Sequence, residues 1–185
     1  MEIRISQELY TILLYARDEA MRTGSYAITA DHLLLGLPRH EDNAACLLMK
    51  EAGLSLQELK RYVDSCTFRE SSVPYDMSDK MAVGRSAQNV INLSAYEALK
   101  AGSAEVASLH LLLALSGTPG IATAEFFSRS GISHAGLVAM LGKHGWSESV
   151  SPSASDEESA KKSIETQMRS MVVFTYPTGD DRMPS

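Results

Sequence analysis

The feature that most constrains this chain is an internal repeat. Residues 9–63 align without a gap on residues 87–141, an offset of 78, and 13 of the 55 paired positions are identical. Composition alone would give about three. The clearest agreement is Glu19-Ala20-x-x-x-Gly24-Ser25 against Glu97-Ala98-x-x-x-Gly102-Ser103. His32-Leu33-Leu34-Leu35-x-Leu37 then matches His110-Leu111-Leu112-Leu113-x-Leu115, and Gly53-Leu54-Ser55 matches Gly131-Ile132-Ser133. Agreement over that length without a gap is a duplication. A unit of some 60 residues buries little core by itself, so the two copies are expected to fuse into one domain.

Each copy reads as four helices. Leu9, Ile12, Leu13, Ala16 and Ala20 recur at helical spacing behind Ser6, a residue suited to cap a helix start. Gly24 stands where a helix end calls for positive φ. Thr29 is the expected cap of a short helix running to Leu37 and closed by Pro38. That helix is apolar all round, which places it inside a core. A third helix spans residues 43–52 and ends at Gly53, and Ser55 with Glu58 forms a capping box for a fourth. The second copy repeats the plan over about 84–143, and no segment inside the repeats shows sustained strand alternation. The expectation is an all-α fold of eight helices: a double-repeat domain over 1–146, with repeat one at about 5–65 and repeat two at about 84–143.

From Ser147 the composition turns polar, and residues 147–185 read as a linker and tail with a helix over 156–171 whose first turn is acidic. The run Val172-Val173-Phe174-Thr175-Tyr176 is β-prone; it either docks on the body or serves as an interaction peptide. Residues 1–146 carry 13 basic and 16 acidic groups, and the remaining 39 carry 4 and 7. The body is thus nearly balanced, without the basic stripe that nucleic-acid binding requires, and the net charge of −6 opposes binding to anionic membranes. No apolar run is long enough to span a bilayer. Two cysteines, Cys46 and Cys66, lack metal-ligand spacing and suit a reducing, cytoplasmic setting. No nucleotide-binding loop and no organised nucleophile motif occurs, so no enzyme activity, catalytic residue, metal or cofactor is expected.

The pattern E-A-x-x-x-G-x-x-x-[IV]-x-x-x-H-L-L-L-x-L, present twice and followed each time by Gly-Leu/Ile-Ser, resembles the Clp N-terminal (Clp repeat) domain that precedes the ATPase modules of C-type Clp unfoldases. The resemblance covers about residues 5–143. It implies an eight-helix, pseudo-twofold module that binds adaptors and substrate segments and does no chemistry. In a chain of this length it would be a free-standing copy without an ATPase module.

In some C-type relatives each repeat holds a phosphoarginine pocket, in which the acid before the His grips the guanidinium and a hydroxyl at the first helix start helps with the phosphate. The resemblance places those roles on Asp31, beside His32, and on Ser6. Repeat two has Leu109 and Gly84 at the matching positions, and a leucine offers no carboxylate for a bidentate pair. The ligand or peptide site is therefore expected at Ser6, Asp31 and His32, beside an apolar groove at the seam between repeats. The implied partner is a protein or peptide: a Clp ATPase or protease, an adaptor, or a substrate bearing phosphoarginine. The residues themselves leave another role open, a scaffold that engages a non-Clp partner through Val172, Val173, Phe174 and Tyr176. His32 and His110, one per repeat and without nearby co-ligands, read as buried structural histidines.

Overall fold

The fold was described from a computed structural model, which describes residues 2–40, 43–69, 71–148 and 150–171. Repeat one forms α1 (Gln7–Arg22), α2 (Ala30–Gly36), α3 (Ala44–Glu51) and α4 (Leu56–Thr67). Repeat two forms α5 (Arg85–Lys100), α6 (Ser108–Ser116), α7 (Ala122–Arg129) and α8 (His134–Gly142). A further helix, α9, spans Ala154–Ser170. The helical plan follows the sequence pattern closely. Leu9, Ile12, Leu13, Ala16 and Ala20 form the buried stripe of α1, and Ser6 accepts from Leu9 N at its start. The leucines at 33–35 and 111–113 are all at most 3% exposed, so α2 and α6 lie inside the core as helices apolar all round must.

The helices of the two copies are laced together by strands too short to leave an alternation signal. Arg4–Ile5 (β1), Ala27–Ile28 (β2), Ala82–Val83 (β3) and Glu105–Val106 (β4) pair in parallel as β1·β4 and β2·β3. Arg4 N donates to Ala104 O and Ser6 N to Val106 O; 78 residues on, Ala82 N donates to Tyr26 O and Gly84 N to Ile28 O. Each pairing crosses between repeats. The start of α1 is therefore carried to the start of α6, and the start of α5 to that of α2. Two matching contacts fasten these pairs: Glu8 Oε2 accepts from Ser108 N at 3.3 Å, and Ser86 Oγ accepts from Ala30 N at 3.1 Å. Residues 8 and 86 are related by the 78-residue offset, as are 30 and 108.

Close approach decides one glycine. A Cβ at Gly36 would lie 2.8 Å from Ile12 O and 2.9 Å from Ala16 N, so α2 crosses α1 in near backbone contact.

The expected helix at 156–171 appears as α9, two residues earlier, with Ser153 and Asp156 in a reciprocal capping box. It lies on α5 and β1, where it buries Ala160, Ile164 and Met168, three residues spaced at four. The run Val172–Tyr176 lies outside the described residues.

Candidate functional site

The residues expected to bind a ligand are each occupied within the fold. Ser6 is only 7% exposed; its hydroxyl accepts from Leu9 N at 3.0 Å and caps α1. Asp31 meets the far repeat. Its Oδ2 accepts from Ala122 N at 3.1 Å, and its Oδ1 accepts from Thr123 N at 2.9 Å and Thr123 Oγ1 at 2.7 Å. These are the first amides of α7, whose own cap position is Ile121, a residue without a polar side chain. In repeat one the equivalent position is Asn43. Its Oδ1 accepts from Cys46 N at 2.9 Å, and its Nδ2 donates to the carbonyls of Leu37 and His40. Repeat two has lost that cap, and Asp31 supplies it across the seam. The carboxylate also suits the positive end of the α7 dipole.

Ser6 and Asp31 therefore serve different junctions. Ser6 stands at the α1/α6 pairing beside α9, while Asp31 lies between the α2 start and α7. Both junctions cross between repeats, because the parallel strands exchange the helix starts between copies.

The histidines are buried fasteners. Thr29 N donates to His32 Nδ1 at 2.9 Å, which leaves the proton on Nε2, and that atom lies 2.9 Å from Thr23 Oγ1. The Thr23 hydroxyl in turn reaches the carbonyls of Glu19 and Ala20, tying α2 to the end of α1. Ala107 N donates to His110 Nδ1 in the same way. Thr23 is replaced by Ala101 in repeat two, so His110 Nε2 has no hydrogen-bond partner among the described residues; its ring faces Trp146, with centroids 5.3 Å apart. Burial pushes both imidazoles down, His32 and His110 each to about 4.

The repeated glutamates, absent from the expected site, are fasteners too. Buried Glu19 takes Arg22, whose guanidinium also reaches Asp64 of α4 at 2.6 Å. Glu97 takes Lys100 at 3.2 Å and His134 of α8 at 2.8 Å. The recurrence of the E-A-x-x-x-G pattern was the signal for this pair, since an acid three residues before a base on one helix face forms such a contact.

What remains open on the surface are shallow grooves. One, of about 580 Å³, lies between α1 and residues 72–75. Met21 and Val73 lie among its lining residues with Arg17, Arg39 and Lys60, and Tyr75 stands at it with 79% of its surface exposed. Among the described residues, no group of three or more His, Cys, Asp or Glu is placed to hold a metal ion, and no helix is long and apolar enough to cross a membrane.

Comparison with known proteins agrees with this geometry. The family model of the Clp repeat (R) N-terminal domain matches residues 4–129. Over 112 residues, 60% of this chain, it is 32% identical to the negative regulator of genetic competence ClpC/MecB of Bacillus subtilis (strain 168), and covers 13% of that protein. Over 104 residues, 56% of the chain, it is 33% identical to the chloroplastic chaperone protein ClpC3 of Oryza sativa subsp. japonica, covering 11% of it. The chain thus matches only a small part of the length of these relatives.

Among solved structures, the N-terminal domain of the caseinolytic protease associated chaperone ClpD from Arabidopsis thaliana superposes with a TM-score of 0.59 at 18% identity, covering 76% of this chain and 96% of that one. A chain described under preliminary structural investigations of a malarial protein secretion system superposes with a TM-score of 0.66 at 21% identity, over 76% of this chain and 93% of that one. These two likenesses concern the fold, and the match over residues 4–129 settles the membership: the chain belongs to the Clp repeat (R) N-terminal domain family.

Proposed function

We propose that this chain is a non-enzymatic protein-interaction module of the Clp chaperone and protease system, which holds a substrate segment, an adaptor or the Clp complex itself. The observation that carries the reading is the family match over residues 4–129, which takes in repeat one and most of repeat two. Two of its relatives are Clp chaperone proteins, so a role within that system is the economical one. Ser6, Asp31 and His32 are engaged in capping and in joining helices, which leaves the surface grooves for a partner. The groove over α1 fits that role, with the exposed ring of Tyr75 set among Lys60 and the Arg39–Asp18 ion pair. It offers an aromatic anchor and charged groups to a peptide laid along it. A reducing compartment accords with the free thiols of Cys46 and Cys66.

In this reading Asp31 is a fastener first. A guanidinium at Asp31 would compete with three donors already seated there, so arginine-phosphorylated peptides are expected to bind weakly at that carboxylate. The test is co-elution of the purified chain with the Clp ATPase, the Clp peptidase and the adaptors of its own host, each in turn, alongside titration with an unfolded client. Saturable binding to at least one, weakened by Tyr75→Ala, is the expected result. Failure with all of them would overturn the proposal.

A further inference from the structure

The edge of β1 carries an arrangement that the repeat fold by itself does not need. One side of this strand is taken by β4, through Arg4 N and Ser6 N. The other side presents Ile3 O and Ile5 N, and a single side chain meets both. Gln167 Nε2 donates to Ile3 O at 2.8 Å, and Gln167 Oε1 accepts from Ile5 N at 2.8 Å. A residue on a parallel strand facing Arg4 would make the same two bonds, donating to the carbonyl before its neighbour and accepting from the amide after it. The carboxamide of Gln167 is thus a one-residue imitation of an added strand. Ser163 Oγ, one turn earlier on α9, adds a second donor to Ile3 O at 3.1 Å.

The helix that brings Gln167 there lies outside the duplicated repeats, since repeat two ends with α8 at Gly142 and α9 begins at Ala154. It is joined to α8 by residues 143–153 and held on the body by Ala160, Ile164, Met168 and Met171. Clefts between the β1 segment and α9 flank Gln167. One of about 470 Å³ is lined by Glu2, Ile3, Lys162 and Thr166, and the other, of about 280 Å³, by Ile5, Ser6, Tyr10 and Met171.

We propose that the outer edge of β1 is a strand-addition site for an extended segment of a partner protein, and that α9 closes it in cis with Gln167 standing in for the incoming backbone. Binding exchanges the two side-chain hydrogen bonds for main-chain ones and lifts α9 from β1. The inference rests on the reading of the chain as a protein-binding module and adds to it the partner's conformation and the device that regulates access.

The test uses the full chain, its Gln167→Ala variant and an Ile164→Asp/Met168→Asp variant. Two readouts are taken: hydrogen exchange at the Ile5 amide, and anisotropy of a fluorescein-labelled peptide of alternating Val and Thr. A backbone N-methylated copy of that peptide, unable to pair as a strand, is the control. Both variants are expected to speed Ile5 exchange by about tenfold or more. They are also expected to tighten peptide binding by about tenfold, with Ile5 protected again in the complex and the N-methylated peptide left unbound.

Unchanged Ile5 exchange in Gln167→Ala overturns the proposal, as does equal binding of the N-methylated peptide or no gain in affinity once α9 is released. Should the double variant fail to fold, Gln167→Ala decides alone. A chain that binds a Clp component yet fails here keeps its protein-binding role and loses the strand site.

Discussion

Asp31→Ala removes the acceptor for Ala122 N, Thr123 N and Thr123 Oγ1 at the start of α7. Loss of a helix cap costs about 0.5–2 kcal/mol, and a hydrogen bond to a charged acceptor about 1.5–3 kcal/mol. The three bonds share one carboxylate and do not add, so the expected loss is about 2–4 kcal/mol. For a domain of this size that lowers the melting temperature by roughly 5–12 °C. The duplication also supplies the rescue. Ile121 already has the extended conformation of a cap, with φ −100° and ψ 154°, at the position where repeat one carries Asn43.

Ile121→Asn therefore restores a local acceptor. In the native background it gains nothing, because Asp31 is in place, and it loses apolar contact. In the Asp31→Ala background it returns about 1 kcal/mol. Urea melts of the four proteins in this cycle measure the difference. Additivity within about 0.5 kcal/mol, or an Asp31→Ala variant as stable as the native chain, would refute the cross-repeat cap.

Acid should weaken the fold through its two buried histidines. The unfolded chain takes protons at an ordinary histidine value near 6.5, while folded His32 and His110 refuse them until about 4, so stability is full above 6.5 and drains as the pH falls toward 4. Each site contributes about 3 kcal/mol to that loss, and a urea midpoint that did not move between pH 7 and 4.5 would contradict it. Gly36→Ala should cost about 1–3 kcal/mol because its Cβ meets the backbone of α1. Ala114→Gly at the equivalent place in repeat two should cost only about 1 kcal/mol of helix propensity, and paired thermal melts check the asymmetry.

The helices were legible because burial of a helix leaves a period in the sequence. Leu9, Ile12, Leu13, Ala16 and Ala20 are the stripe of α1, and the leucine triplets are the core helices. The structural reading of His32 and His110 also matches the geometry, since a histidine at the third helical position reaches back to the amide of the cap residue. What escaped was everything that depends on pairing over long separations. A strand of two residues has no period to detect, yet β1–β4 decide which helix starts meet. The partners of Asp31 lie 91 and 92 residues away in the other copy. A trace of that contact was present: Ile121 occupies the place of Asn43, and a helix start without a cap calls for an acceptor from elsewhere. The acid before His32 therefore resembles a ligand grip in position while it serves as a fastener in the fold. Helix α9 was recognisable from its acidic first turn, but nothing in its own sequence says that Gln167 meets an edge strand.

On the proposed function, the chain works by holding a protein of the Clp system. A photo-crosslinking residue placed at Tyr75, the exposed ring over the α1 groove, tests it most directly in the native host, with identification of the crosslinked proteins by mass spectrometry. Crosslinks are expected to concentrate on Clp ATPase or peptidase subunits, their adaptors or unfolded clients, and to be lost when an excess of the unlabelled chain competes. Crosslinks confined to proteins outside that system, or none that competition removes, would contradict it.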